Sequence, residues 1–318
     1  YMKNQIPFGG FNIDSGWATC YNDFIWNKSL FPDPQGLINY FHSKDVKVML
    51  WATSLINDNC PNFKEAKEKG YLLNNGKTIH WWHGNGAFLD FFNPKATKWW
   101  KSQMDKVLDQ GIDAWKCDGT DPMTMLLRPW PYSPYKKRFI KPWDYSHLYY
   151  GTFYNYTKER NPDALIMARP VDSFHEKVYW PYAPKYVMFS GWVGDQNATP
   201  DGLRQALSNV MHSAWKGYLN FGFDIGGYRG NKDKISKNVF LRWAQVGSMV
   251  PFMENGGNGL HEPWAFDKET VDIYRKFVLI HYDLKSFYLT VGNEAYKKSK
   301  SVIEPLARKQ LPVTLSKL

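Results

Sequence analysis

Strand-like and helix-like segments alternate along most of this 318-residue chain. Short apolar runs predict about eight strands, at residues 6–13, 46–51, 86–92, 112–115, 164–168, 186–192, 218–223 and 247–253. Such alternation favours a parallel sheet, and about eight strand–helix units in a chain of this length favour a closed barrel over an open sheet. The sequence therefore predicts an α/β fold of the (β/α)₈ TIM-barrel type.

Amphipathic patterns between the strands predict the helices, at residues 35–44, 62–70, 95–110, 145–160, 203–215, 238–246 and 269–289. Asp33-Pro34 and Gly111 are typical of a helix start and a helix stop, respectively. Residues 122–142 contain five prolines and predict a long loop, a feature that often has a functional role.

Nearly every predicted strand is followed by a polar or charged side chain. These residues are Asp14, Asp90, Asp118, Arg169, Asp195, Asp224 and Glu254. A single polar ending means little, because any strand has to end in something polar. In a TIM barrel, however, the carboxyl ends of all strands meet at the face that carries the active site. The set therefore predicts a polar pocket at one mouth of the barrel.

The segment at residues 111–122 shows the sharpest change of character. An apolar run ending at Trp115 is followed by Lys116, Asp118 and Asp121, and Gly119 prevents a simple continuation of the strand. Taken alone, this pattern is equally compatible with a solvated strand end and with a strand that delivers charged groups to a pocket.

Aromatic residues make up 17% of the chain, with 15 tryptophans, which is more than a core needs. Sugar-binding clefts use aromatic faces as platforms for the apolar C–H faces of sugars. An aromatic-rich core explains part of the same excess, and the composition leaves both interpretations open.

The net charge of +10 permits nucleic acids or acidic glycans as partners. The lysines are nevertheless scattered, and the densest basic runs, at residues 135–138 and 296–300, are short enough to be solvated faces. No nucleic-acid-binding motif accompanies them, so no nucleic-acid partner is expected.

No cofactor or metal ion is expected from the motifs. Phosphate-binding glycine loops and Gly-x-Ser-x-Gly elbows are missing from the sequence, and the three cysteines lack metal-ligand spacing. Cys20 and Cys60 are compatible with a disulfide without requiring one. His80-Trp81-Trp82-His83 suits the wall of a site better than a pair of metal ligands. No apolar run approaches the length of a membrane span, so no membrane contact is expected.

Several aspartates combined with aromatic residues fit the hydrolysis of glycosidic bonds. That reaction needs two carboxyl groups, one that attacks or activates water and one that protonates the leaving oxygen. Lys116 and Arg169 would help to keep Asp118 ionised. Asp195 lies between Gly194 and Gln196, where a flexible loop would present it to the leaving group.

These residues resemble the catalytic barrel of glycoside hydrolase family 31, the retaining α-glycosidases that include α-glucosidases and α-xylosidases. The similarity covers nearly the whole chain in the order that the family has. The matching segments are residues 6–17, 31–34, 90–94, 115–118, 192–195, 223–228, 242–243 and 262–266. Each tetrapeptide is a weak match, but the ordered set is specific.

The resemblance implies a role for individual residues of this chain. Asp118 stands at the position of the nucleophile, and Asp195 stands at the position of the acid/base. The residues implied to contact the sugar are Asp14, Trp51, Trp115, Lys116, Arg169, Trp192, Asp224 and Asn255.

The chain departs from the family pattern at three places. Gly119, Thr120 and Asp121 replace the usual bulky residue and the glutamate that follow the nucleophile. Pro170 replaces a serine after the arginine, and Asn255 stands where a sugar-binding histidine is common. These departures leave the predicted acid–nucleophile pair intact but leave the sugar undetermined.

The resulting expectation is a retaining exo-α-glycosidase whose two catalytic carboxyl groups lie about 5–6 Å apart. An α-transglycosylase, an α-glucan lyase and a non-catalytic glycan-binding barrel are the alternatives. Residues 1–318 are expected to form a single catalytic barrel within a longer chain that carries β-sandwich domains on both sides. A homo-oligomer is compatible with the sequence, and a secreted or periplasmic location is favoured over the cytoplasm.

Overall fold

The computed structural model describes residues 1–119, 130–174, 178–187, 189–230 and 235–305. The chain divides into two compact units. The first unit contains Gly9–Ala168 and Tyr182–Val187, and the second contains Tyr1–Phe8, Arg169–Pro181 and Met188–Leu318.

The first unit alternates strands and helices as the sequence predicts. Its strands are β1 (Gly10–Ile13), β2 (Lys47–Ala52), β3 (Leu55–Asn57), β4 (Ile79–Trp81), β5 (Gly84–Phe88), β6 (Ala114–Cys117), β7 (Tyr132–Ser133), β8 (Arg138–Phe139) and β9 (Leu165–Ala168). Its helices are α1 (Pro34–His42), α2 (Pro61–Glu68), α3 (Pro94–Leu108) and α4 (Pro142–Arg160).

Four of these strands form a parallel sheet in the order β1-β2-β6-β9. Leu50 lies opposite Trp115, and Trp115 lies opposite Ile166. All four residues of β6 are buried. A parallel strand covered on both faces accounts for the continuous apolar run that precedes Lys116, because neither face of such a strand meets water.

The prediction that residues 86–92 form a strand of the parallel sheet is wrong. Strand β5 pairs antiparallel with both β3 and β4, while β2 pairs directly with β6. The buried residues Ala87, Phe88 and Leu89 do predict a strand. An apolar run cannot tell the direction of its neighbours, because parallel and antiparallel strands have the same periodicity.

Proline and a polar residue before it mark the start of several helices. The side chain of Asp33 accepts a hydrogen bond from Gly36 N (2.9 Å) ahead of α1, and that of Asn93 accepts one from Lys95 N (3.0 Å) ahead of α3. Proline at the first helical position lacks only an N–H that would have no partner within the helix. The helix start predicted at Asp33-Pro34 is confirmed.

The second unit contains the remaining described elements. Its strands are β10 (Val171–Phe174), β11 (Val178–Pro181), β12 (Ser190–Gly191), β13 (Gly222–Asp224) and β14 (Phe252–Glu254). Its helices are α5 (Pro200–Trp215), α6 (Lys237–Gly247), α7 (Lys268–Asp283) and α8 (Lys285–Lys297). Strands β13 and β14 run parallel, and Trp192, just after β12, forms a parallel bridge with Gly222.

Some predicted boundaries of the second unit are wrong. The strand predicted at residues 247–253 starts later, because α6 extends to Gly247, and the helix predicted at 269–289 is two helices that meet at Leu284. The loop predicted at residues 122–142 contains the β7–β8 hairpin and the first residue of α4. Its residues 122–129 lie outside the described residues.

Cys20 and Cys60 form a disulfide that joins two segments 40 residues apart in sequence. Replacing both cysteines by alanine should lower the free energy of unfolding by about 4 kcal/mol, because the cross-link restricts the unfolded chain. Urea unfolding of the oxidised wild-type protein and of the double variant would measure the difference. Dithiothreitol should lower the wild-type midpoint and leave that of the variant unchanged; equal midpoints without reductant would contradict the prediction.

Among the described residues, no helix has both the length and the apolar character needed to span a membrane. Within the same part of the chain, no three His, Cys, Asp or Glu side chains converge in a way that could hold a metal ion.

Candidate active site

Asp118 follows strand β6, and its carboxylate accepts two hydrogen bonds from within the first unit. Trp51 donates from its indole nitrogen to Oδ2 (3.2 Å), and the Gly119 backbone N–H donates to Oδ1 (2.8 Å). The hydroxyl of Tyr149 donates to the backbone carbonyl of Asp118 (3.0 Å). Hydrogen bonds to a carboxylate favour its ionised form, so these contacts suit a nucleophile.

Asp14 and Lys116 form an ion pair beside the same strand, with Nζ 3.1 Å from Oδ2 of Asp14. The Lys116 side chain is 4% exposed, whereas that of Asp14 is 37% exposed. Asn12 and the Ser15 backbone N–H also donate to the Asp14 carboxylate. Asp14 is thus held in a fixed orientation with part of its carboxylate open to a ligand.

Trp115 does not fit the predicted contact with sugar, and that prediction is corrected here. Its ring is completely buried against Phe24 and Phe153, and its indole N–H donates to Thr157 (2.9 Å). The alternation of side chains along a strand explains the difference, since Trp115 and Lys116 point to opposite faces of the sheet.

Cys117 adjoins the candidate nucleophile but is unsuited to nucleophilic chemistry. Complete burial raises the pKa of its thiol well above the ordinary value. The reactive form of cysteine is the thiolate, which burial disfavours at neutral pH. The carboxylate of Asp118 is therefore the better candidate on this strand.

Asp195 lies in the second unit, where Arg169 and Trp192 contact the same carboxylate oxygen. The Arg169 guanidinium lies 2.9 Å from Oδ1 of Asp195, and the Trp192 indole N–H donates to Oδ1 (3.3 Å). The guanidinium also covers the Trp192 ring at 4.7 Å from the ring centroid. These contacts orient the carboxyl group by one of its two oxygens.

Trp51 and Trp192 each contact a candidate catalytic aspartate within their own unit. Trp51 is 3% exposed and Trp192 is fully buried, so neither ring presents a face for stacking on a sugar. Each donates its indole N–H to a candidate catalytic aspartate instead. Contact of these residues with a sugar stays a prediction, and the structure adds that their indole N–H groups orient Asp118 and Asp195.

Asp224 and Asn255 lie at the ends of the paired strands β13 and β14. Asp224 is 1% exposed and lies opposite Glu254 in the register. The Asn255 amide donates to the Tyr1 hydroxyl and to the His261 carbonyl. Burial raises the pKa of the Tyr1 phenol to about 12, so this hydroxyl stays protonated at neutral pH. Among the described residues, Oδ1 of Asn255 is buried without a hydrogen-bond partner.

Two residues near the site were missed by sequence reasoning. Asp172 contacts Arg169 at 2.6 Å, and Tyr149 supports the backbone at Asp118 from helix α4. An aspartate three residues after the arginine was a visible signal, but only the β10–β11 hairpin directs it back to the guanidinium. Asp121 and Thr120, which belong to one of the departures from the family pattern, lie outside the described residues.

Each unit thus holds one aspartate in a set of hydrogen-bond donors at the end of a buried strand. Carboxyl groups in such settings can act as nucleophile, acid or base, and none of these roles requires a metal ion. Asp14, Asp224 and Asn255 add acceptor groups of the kind that bind sugar hydroxyls.

Curated relatives of this chain include two α-xylosidases. α-Xylosidase XylQ of Lactiplantibacillus pentosus is 29% identical over 296 residues, which cover 87% of this chain and 36% of the relative. An α-xylosidase of Emericella nidulans is 22% identical, with 96% of this chain and 38% of the relative covered. The chain therefore spans little more than a third of the length of these relatives.

Solved structures agree on the fold. A GH31 α-xylosidase from a soil metagenome, complexed with xylose, superposes with a TM-score of 0.78 at 19% identity, covering 100% of this chain and 50% of that one. A GH31 sulfoquinovosidase from E. rectale gives a TM-score of 0.79 at 21% identity, covering 100% and 49%. The prediction of a (β/α)₈ barrel is confirmed by this agreement.

The family model described as the glycosyl hydrolases family 31 TIM-barrel domain matches residues 1–291. That match extends into both compact units and includes every candidate site residue named above. The chain therefore belongs to glycoside hydrolase family 31, as a TIM-barrel domain of that family.

Proposed function

We propose that this barrel is the catalytic domain of a retaining, exo-acting α-glycosidase, with Asp118 as nucleophile and Asp195 as acid/base. The observation that carries the proposal is the shared setting of the two aspartates. Each follows a buried strand and accepts an indole N–H, from Trp51 and Trp192 respectively. Membership of glycoside hydrolase family 31 supports the same reaction class.

In the first step, Asp118 attacks the anomeric carbon and forms a covalent bond as the glycosidic C–O bond breaks. The proton of the Asp195 carboxyl group passes to the departing oxygen. Oδ1 of Asp195 accepts hydrogen bonds from Arg169 and Trp192, so the proton is best placed on Oδ2. The donors on Asp118 keep its carboxylate oriented for the attack.

In the second step, Asp195 takes a proton from water as that water attacks the anomeric carbon. The bond to Asp118 breaks, and the sugar leaves with the α configuration that it had in the substrate. Two inversions at one carbon restore the starting stereochemistry. The two carboxyl groups are expected to lie about 5–6 Å apart, because direct attack leaves no room for an intervening water.

The proposed sugar contacts are Asp14, Lys116, Arg169, Asp224 and Asn255. The partly exposed Asp14 carboxylate can accept a bond from a sugar hydroxyl. Two of the relatives are named α-xylosidases, which makes α-xylosides the first substrates to test, followed by α-glucosides.

A panel of aryl α-glycosides, followed by proton NMR of the first-formed product, tests the proposal. We expect release of the α anomer before mutarotation. Release of the β anomer would overturn retention, and an unsaturated product would indicate a lyase. Transfer to added sugar acceptors in preference to water would indicate a transglycosylase, and binding without turnover would favour a non-catalytic barrel.

A further inference from the structure

An exposed tryptophan lies beside the candidate nucleophile. Trp82 is 52% exposed and occupies the two-residue tip of the hairpin formed by β4 and β5. A Cβ atom added to Gly119 would lie 3.7 Å from Cη2 of the Trp82 ring. Since the Gly119 N–H also donates to Asp118, the exposed ring borders the backbone that holds this carboxylate.

The tip of this hairpin is held rigidly by polar contacts. Buried Asn57 donates from its side-chain nitrogen to the His83 carbonyl (2.7 Å) and accepts from the Trp81 indole (2.7 Å). A single side chain thus fixes the residues on both sides of Trp82. An exposed ring that is fixed in place loses little conformational entropy when a ligand stacks on it.

Aromatic contacts also hold the tip of this hairpin in place. The His83 ring stacks on Tyr21 at a centroid distance of 4.1 Å, and Trp81 contacts the edge of Trp82 at 4.9 Å. Burial lowers the pKa of the His83 imidazole, while the negative charge of Asp14 opposes that shift. The stack is therefore built on a neutral ring at neutral pH, which avoids burying a charge.

Gly119 contributes to the same surface by its small size. It has a φ of +75°, and a Cβ atom there would come within 2.6 Å of the Thr53 side chain. Glycine adopts this backbone conformation and places no side chain between Thr53 and the edge of the Trp82 ring. A larger residue at this position would crowd both neighbours.

We propose that Trp82 is the platform on which the leaving-group sugar stacks while Asp118 attacks the neighbouring glycosyl residue. The inference rests on the proposed function and adds a binding site for the second sugar of the substrate. Sugar rings present apolar C–H faces that suit an indole face. Trp82 would thus set the preference for saccharide over small leaving groups.

The test compares leaving groups on one glycosyl residue. In the Trp82→Ala variant, kcat/KM should fall roughly 10-fold for maltose and for an α-xylosyl-glucose disaccharide. It should stay within about twofold for α-glucosyl and α-xylosyl fluoride, because these substrates carry no second sugar to stack. Trp82→Tyr should recover most of the loss. Trp143→Ala, at another exposed tryptophan, in helix α4, is the matched control.

If Trp82→Ala lowers kcat/KM equally for the disaccharides and the fluorides, the proposed platform is wrong. It is also wrong if kcat/KM is unchanged for both. Calorimetric titration of maltose and of the xylosyl-glucose into the Asp118→Asn protein, with and without Trp82→Ala, gives a readout that does not depend on turnover. Binding weakened roughly 10-fold supports the platform, and unchanged binding contradicts it. Failure of the wild-type protein to cleave any fluoride would count against the proposed function itself.

A second, independent observation concerns Asp172 in the other unit. The Arg169 guanidinium lies between two carboxylates, with NH1 2.6 Å from Asp172 and NH2 2.9 Å from Asp195. Asn209 holds Asp172 by a 2.9 Å hydrogen bond and also donates to the Val193 carbonyl.

Gly194, beside Asp195, allows the close approach of Asp172. A Cβ atom there would lie 2.1 Å from Oδ2 of Asp172, and the φ of Gly194 is +103°. Any other residue at position 194 would displace this carboxylate. The arrangement therefore depends on the glycine that directly precedes the candidate acid/base in the sequence.

We propose that Asp172 is a positioning residue that shares the charge of Arg169 and so keeps Asp195 able to hold its proton. A guanidinium paired with Asp195 alone would favour the carboxylate form, which cannot act as the acid. Because Asp172 also pairs with Arg169, the guanidinium still orients Asp195 but stabilises the ionised form of Asp195 less. The proposal rests on the assignment of Asp195 as the acid.

In the Asp172→Asn variant, the basic limb of the kcat/KM–pH profile should move to lower pH by roughly one unit. Activity above neutral pH should fall correspondingly, while kcat/KM on the acid side changes little. Asn209→Ser, which loosens Asp172 without removing its charge, should lower the rate and leave the limb in place. Asp201→Asn, at an exposed aspartate paired with Arg204, is the control.

An unmoved basic limb, or one moved to higher pH, would overturn the role of Asp172. The ¹³C signal of the Asp195 carboxyl group, assigned by its loss in Asp195→Asn, reports the same titration without turnover. That signal should titrate at lower pH in Asp172→Asn than in the wild-type protein. An unchanged titration would contradict the proposal even if no substrate were known.

Discussion

Replacing Asp118 by asparagine should lower turnover of every α-glycoside that the wild-type protein cleaves, by at least about 10⁴-fold. The amide has nearly the same shape but no carboxylate to attack the anomeric carbon. The amide oxygen can still accept from one of the two donors, Trp51 or Gly119, and Tyr149 binds the backbone carbonyl, so the fold should persist. Steady-state rates with aryl α-glycosides would measure the loss.

A smaller nucleophile should partly replace the missing carboxylate. In Asp118→Gly, azide is expected to restore turnover of an activated aryl glycoside and to give a β-glycosyl azide, because only one inversion takes place. Thermal unfolding of both variants close to that of the wild-type protein would separate lost chemistry from lost structure. Retention of more than a few per cent of the wild-type rate would refute the assignment of Asp118.

Replacing Asp195 by alanine should lower kcat by about 10²- to 10⁴-fold, depending on the leaving group. Substrates with poor leaving groups need the proton and should lose most. Activated substrates should still form the glycosyl-enzyme but release it slowly, which predicts a burst of product before the steady state. Rapid-mixing kinetics with α-glycosyl fluorides of the same sugar would detect the burst.

Azide distinguishes this variant from those at Asp118. It should rescue the second step in Asp195→Ala and yield an α-glycosyl azide, since two inversions take place at the anomeric carbon. The fold should tolerate the change, because Arg169 keeps Asp172 as an ionic partner. Equal rate losses across leaving groups of different acidity, with no azide product, would exclude Asp195 as the acid/base.

The helices show how far local sequence determines this fold. Asp33-Pro34 and Asn93-Pro94 start helices, and Gly111 follows the end of α3 with a φ of +98°. These signals lie within a few residues of the structure that they specify, so a local pattern suffices. The same holds for the buried strand β6, whose apolar run and polar end are adjacent in sequence.

Partners of strands and side chains were harder to predict. The run at residues 86–92 begins within strand β5, but the antiparallel pairing of that strand with Leu55–Asn57 depends on how the chain turns between them. Trp51, Trp115 and Trp192 were expected beside a sugar, yet all three rings are buried, and Trp51 and Trp192 donate hydrogen bonds to Asp118 and Asp195. The face to which a strand residue points depends on the register of the sheet, which residue type does not reveal.

The sequence by itself determined the class of barrel, the order of its motifs and the two aspartates proposed for catalysis, because each is encoded by short segments with characteristic residues. Only the tertiary structure decided which groups surround those aspartates. The pairing of Asp172 with Arg169 and the placement of Trp82 beside Gly119 join residues through folded turns and packed rings. Such contacts depend on the summed geometry of several elements, and no local pattern of residues specifies that sum.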